Sequence, residues 1–172
     1  QVIVTAADSM SRSMLTMIGR VAAGGPAARC RPFDTERQGA VLGEGAAVCV
    51  LTRDDAEPPD ASMIAGRIHA TAVSTDAAHL TAPDAVVISS TVDRALRGAD
   101  ITFGDLALVI PRGTGTEMND RIEIEVYAAR LAASEAVTFS PLKGLLGHTS
   151  GASFLMSAFT ALHALRGNPT AA

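Results

Sequence analysis

Aromatic side chains are nearly missing from this chain. Its 172 residues hold no Trp, one Tyr and five Phe. A binder of single-stranded nucleic acid needs exposed rings for bases to stack on, so that class is excluded. Basic runs are missing too. Fourteen Lys and Arg stand against eighteen Asp and Glu, a formal charge of −4, with no cluster of cations to attract nucleic acid or an anionic membrane. No apolar stretch reaches the ~18 residues of a membrane-spanning helix, and no charged lead with an apolar run marks a secretory signal. Two cysteines make no disulfide framework, and the spacing of Cys30 and Cys49 fits no zinc motif. The expectation is a cytoplasmic protein with no metal and with neither nucleic acid nor membrane as partner.

What remains is 48% hydrophobic, mostly Ala, Val, Leu, Ile and Met. Small aliphatic side chains suit helices packed closely onto a sheet, and the length suits one domain or part of a larger one. Cys49, in the run Ala-Ala-Val-Cys-Val-Leu, reads as a buried inert thiol. Cys30 lies between two arginines, which would lower its pKa, although a bystander in a loop is the stronger reading.

Strands are expected at 2–6, 46–52, 63–73, 106–110 and 136–139. Helices are expected after an Asp8-Ser9 cap and up to Gly24-Gly25-Pro26, from Pro83 in a first turn to Arg97, after an Asn119-Asp120 cap, and over 147–165 as a buried apolar rod. In the third of these, Ile122, Ile124, Val126, Ala129 and Leu131 are the core candidates. The alternation of strands and helices argues for an α/β layered fold. The chain opens directly on a strand, so an earlier part of the fold is expected to be missing or to lie on another chain.

Four ordered segments carry the chemistry: Cys30-Arg-Pro-Phe-Asp34 running into Gly39-Ala-Val-Leu-Gly-Glu-Gly45, the loop at 76–83 ending Thr-Ala-Pro, Arg112-Gly-Thr-Gly-Thr116 closing at Asn119-Asp120, and Lys143-Gly-Leu-Leu-Gly-His148-Thr-Ser-Gly151. Together they resemble the β-ketoacyl synthases, the condensing enzymes of fatty-acid and polyketide synthesis. The resemblance covers essentially all of this chain but only the middle and later part of a whole synthase. It implies an α/β thiolase-like layered α/β/α fold, partial here and completed by another chain, with residues 1–172 forming a single C-terminal-half domain.

It also implies roles. His148 stabilises charge on the thioester oxygen, Lys143 holds the electrostatics of the site, and Glu123 is its buried acidic partner. Thr114 and Thr116 bind the phosphopantetheine arm of an acyl carrier protein, which is the substrate carrier; no other cofactor is implied. Arg112 stands where the family has its first histidine. A guanidinium has no acceptor and is no base near neutrality, so the change implies weak or absent decarboxylative condensation. His69, His79 and His163 read as structural or surface residues. The family's nucleophilic cysteine would lie before residue 1, so a nucleophile must come from elsewhere.

The expected protein is therefore a subunit of a split ketosynthase-like acyltransferase of natural-product biosynthesis. Its partners would be a complementary ketosynthase half, in a hetero-oligomer, and an acyl carrier protein. The alternative is a non-catalytic partner resembling a chain-length factor. A truncated ordinary synthase is disfavoured by Arg112, because truncation changes no internal residue.

Overall fold

The computed structural model describes residues 1–19, 29–56, 60–77, 83–134 and 136–167. The expected helix end at Gly24-Gly25-Pro26, His79, and Thr81 and Ala82 lie outside them. Two strand pairs organise the rest. Strand β1 (Val2–Asp8) runs antiparallel to β2 (Gly45–Leu51), in a register pairing Ile3 with Val50 and Asp8 with Gly45. Strand β3 (Leu108–Val109) runs parallel to β4 (Thr138–Phe139). Between β3 and β4 lies helix α3 (Glu117–Ala132), so the three form a βαβ unit. Helix α1 (Arg12–Gly19) follows β1, α2 (Ala85–Gly98) packs on α3, and the short α4 (Lys143–Leu146) and α5 (Ser153–Leu165) close the chain.

Local chemistry sets several boundaries differently from the expectation. Helix α1 starts after Ser11, whose Oγ accepts the Met14 N–H at 3.1 Å, while Asp8 ends β1 and accepts the Gly151 N–H at 3.0 Å. Asp84, not Pro83, begins α2: its carboxylate accepts the N–H groups of Val86 and Val87, the geometry of an N-cap. Helix α3 starts from Thr116, and Ile124 and Ala129 face outward while Glu123 and Val126 are buried.

The expected strand at 63–73 is not one. A 3-10 turn covers Ala61–Met63, and the chain beyond it carries no ladder. Instead it lies along α2, held by Thr91 Oγ1 donating to Ser74 Oγ and by the Arg94 guanidinium on the Val73 carbonyl. The weak alternation there has no sheet to serve.

The expected rod at 147–165 is also broken. Gly147 adopts φ +72°, a 3-10 turn spans Ser150–Ala152, and only then does α5 begin. A side chain on Gly147 would press the Gly43 backbone at 3.0 Å, and one on Gly43 would sit 2.1 Å from the Leu146 oxygen. Two backbones meet here, and only glycine permits it.

Among the described residues the buried apolar side chains are Cys30, Ala40, Ala47, Phe103, Val126, Val137, Ala152 and Leu155, most of them small. The outer face of the β1–β2 pair is apolar and open, with Ile3, Val48 and Val50 exposed at 69, 57 and 58%. Phe154 of α5, expected to be buried, is 79% exposed. Cys49, expected to be buried, lies on the opposite face beside Val4 and is half-buried. The chain exposes 11393 Å², where a folded monomer of its 17.6 kDa exposes about 7,900 Å². Both faces of β1–β2 are apolar, and among the described residues only one is covered.

Candidate active site

The parallel pair aims two loops at one place. Residues 110–116 leave the carboxyl end of β3, and residues 140–142 leave that of β4 and enter α4. The ladder continues past both ends, through Thr138 N–H to Ala107 O and Ser140 N–H to Val109 O, each at 3.0 Å. Ligands in α/β folds bind at such carboxyl ends.

The peptide joining Arg112 to Gly113 is held from both sides. Its N–H donates to Glu123 Oε2 at 2.7 Å, and its carbonyl accepts from Lys143 Nζ at 2.5 Å. Glu123 Oε1 takes the Arg112 N–H as well, at 2.8 Å. Glu123 is thus the buried acid expected, but not by direct pairing with Lys143. Both its oxygens are used on backbone donors, and the ammonium reaches the same loop from the other side. Burial raises the Glu123 pKa, offset in part by the two N–H donors. Burial lowers that of Lys143, with the Glu123 charge opposing the shift and Arg112 adding to it.

Asp120 is the one large side chain with no exposure among the described residues, a role that its place in the sequence does not suggest. Its Oδ1 accepts the N–H groups of Thr114 and Gly115 at 3.0 and 3.1 Å, and its Oδ2 accepts the Phe33 N–H at 2.8 Å. Arg37 Nε lies 3.9 Å away. The carboxylate therefore ties the Cys30–Asp34 loop to the threonine loop. The Asn119-Asp120 pair has the look of a cap, and only the contact with Phe33, 87 residues away in sequence, reveals the tie.

Thr114 and Thr116 share a hydrogen bond at 2.8 Å between hydroxyls, and Asn119 Nδ2 donates to Thr116 Oγ1 at 2.8 Å. Asn119 Oδ1 accepts from Arg112 Nη1 at 3.0 Å. Arg112, exposed, thus continues a polar chain with both threonines.

His148 is fixed by residues 39–43. Its N–H donates to Val41 O at 2.7 Å and its carbonyl accepts from Gly43 N–H at 3.1 Å, a parallel bridge to Leu42. Gly39 N–H reaches Gly115 O at 3.0 Å, so this one strap pins both halves of the site. His148 Nδ1 accepts the Ser150 N–H at 3.1 Å, with Ser153 Oγ 3.4 Å away. A ring that accepts at Nδ1 carries its proton on Nε2. Burial lowers its pKa, and the charges of Lys143 and Arg112 lower it further against Asp8. The imidazole is a neutral donor through Nε2. Beside it, Lys143, Leu146, Gly147, Thr149, Ser153 and Met156 are among the residues lining a shallow cleft.

The other candidates fall elsewhere. Cys30 is buried with Sγ 3.7 Å from the Thr114 carbonyl, and burial raises its thiol pKa, with the Asp120 charge adding to the rise; the lowering expected from its flanking arginines is overturned. His69 and His163 are exposed. Among the described residues no cluster of His, Cys, Asp and Glu fits a metal ion, and no helix is long and apolar enough to cross a membrane.

Residues 65–170 match the β-ketoacyl synthase C-terminal domain family, and residues 1–57 the β-ketoacyl synthase N-terminal domain family. The chain is 31% identical over 143 residues to the 3-oxoacyl-[acyl-carrier-protein] synthase 2 of Mycobacterium tuberculosis, covering 82% of this chain and 34% of that protein. A β-ketoacyl synthase structure from Burkholderia phymatum superposes with a TM-score of 0.81 at 28% identity, over 96% of this chain and 41% of that one. The ishigamide ketosynthase/chain length factor superposes at 0.71 and 30% identity, over 94% and 40%. The chain spans well under half the length of each of these relatives.

Proposed function

The chain belongs to the β-ketoacyl synthase family of the thiolase superfamily, and on that premise we propose that it forms the acyl-handling part of a ketosynthase-like site that transfers acyl groups without elongating them. Its α/β elements are part of a thiolase-like layered body. The remaining part of that body supplies the nucleophile and covers the open faces of β1–β2 and α5. The acyl group arrives as a carrier-protein thioester in the cytoplasm, its pantetheine arm bound by Thr114 and Thr116.

The observation that carries this reading is the pairing of a neutral Nε2 donor at His148 with a permanent cation at Arg112. Nε2–H is suited to an oxyanion formed in acyl transfer. Arg112 cannot alternate between donor and acceptor as an imidazole does. Lys143 and Glu123 set the shape of the loop between them.

The test is a pair of assays on the assembled protein: transfer of a labelled acyl group from carrier protein, and release of labelled CO2 from a malonyl thioester. Transfer without CO2 release is expected, with transfer lost more than about tenfold in His148→Ala. CO2 release at synthase rates overturns the non-elongating reading.

The second reading, a non-catalytic partner that shapes an acyl tunnel, draws on the likeness to a ketosynthase/chain length factor. It requires His148→Ala to leave turnover unchanged while altering product length.

A further inference from the structure

Four charged side chains hold the loop at 112–115, two of each sign, and Arg112 adds a fifth charge. Asp120 is faced by Arg37, and Glu123 and Lys143 flank the same peptide. Arg112 meets Glu123 through its backbone N–H, and its charge acts on that carboxylate, but its guanidinium makes no ion pair among the described residues; its Nη1 is held by the neutral Asn119 Oδ1. That contact orients the guanidinium and leaves Nε and Nη2 without a protein partner among the described residues. A fork kept in place by a neutral amide is ready for an anion, and a planar fork fits a carboxylate best. It also stands at the end of the hydroxyl and amide chain of Thr114, Thr116 and Asn119.

Building on the acyl-transfer reading, we infer that Arg112 is a specificity residue that anchors a free carboxylate on the acyl chain, so the substrates are dicarboxylic acyl thioesters. The field of Arg112 reaches the site, since it depresses the pKa values of both His148 and Lys143. The inference also accounts for retention of the carboxyl group. Loss of CO2 moves negative charge from the carboxylate to the thioester oxygen. A guanidinium that holds the carboxylate stabilises the starting state more than that transition state and so raises the barrier.

Malonyl and isovaleryl pantetheine thioesters test this, because they share a heavy-atom shape and differ in charge. The assembled protein is expected to bind the malonyl form about tenfold more tightly. That ratio should fall to about one in Arg112→Gln, persist in part in Arg112→Lys, and shrink in the unmodified protein as salt is raised. Equal binding of the two thioesters overturns the inference and leaves the acyl-transfer reading standing, as does a ratio insensitive to salt and to Arg112→Gln. Binding of neither overturns both. The salt series decides even where a variant fails to fold.

Discussion

Glu123 and Lys143 hold the two sides of one peptide group without pairing with each other. The carboxylate takes the Gly113 N–H at 2.7 Å, and the ammonium reaches the Arg112 carbonyl at 2.5 Å. Each charge is buried, and each is compensated by a backbone dipole as well as by its neighbour across the loop. The loop bearing Arg112, Thr114 and Thr116 is thereby fixed before any substrate arrives.

This arrangement predicts the cost of a neutral replacement. In Glu123→Gln the amide nitrogen must face either the Arg112 or the Gly113 N–H, donor against donor. A destabilisation of roughly 1–3 kcal/mol is expected in denaturant unfolding of the assembled protein. Because Lys143 acts on the same peptide, Glu123→Gln and Lys143→Met should be non-additive, with a coupling of roughly 0.5–3 kcal/mol in a double-mutant cycle. Additive effects would show that the two residues support the loop independently.

The open sheet face gives a second prediction. Val50 pairs with Ile3 on the uncovered side of β1–β2 and is 58% exposed in this chain. Val50→Asp should barely change the melting of the isolated chain. On the proposed reading the rest of the layered body lies over this face in the assembled protein, and there the substitution should cost more than the ~1.5–3 kcal/mol of a buried valine, because a charge is buried as well. Gel filtration of the assembly with and without the substitution reads the outcome. An unaffected assembly would mean the face stays open.

Sequence pattern reveals the elements whose signal is local. Strands β1 and β2 are dense apolar runs, α2 and α3 have helical spacing, and the loops at Arg112–Thr116 and Lys143–His148 have distinctive composition. It fails where the deciding partner is distant. Residues 63–73 alternate like a strand, but no ladder forms, and side chains of α2 hold the end of the segment at Val73 and Ser74. The break at Gly147 is set by the Gly43 backbone, about a hundred residues earlier. Asp120 resembles a helix cap because its true partners, Phe33 and the threonine loop, are brought to it by the fold. Glu123 and Lys143 are both named as candidates by their motifs, yet their shared peptide is not legible, since it depends on the placement of β3 against β4.

His148 carries the last prediction. Burial, then the charges of Lys143 and Arg112, set its folded pKa below the ordinary 6.5. Between 6.5 and that lower value the unfolded chain holds more protons than the folded one. The contribution of this residue to stability is therefore full above pH 6.5 and falls as pH drops through the folded value. Function follows the same limb. Protonation puts a hydrogen on Nδ1, where Ser150 N–H already points, so the held ring orientation and its Nε2 donor are lost together. Acyl transfer should stay flat down past pH 6.5 and decline only below it. Lys143→Met removes one of the charges that depress the pKa, so the limb should move upward toward 6.5. Histidine ring signals in the assembled protein, followed by NMR through the titration and assigned by loss in His148→Ala, measure both values. A ring titrating at or above 6.5, or one unmoved by Lys143→Met, would mean that the imidazole does not feel the buried lysine and that the two residues do not form one electrostatic site.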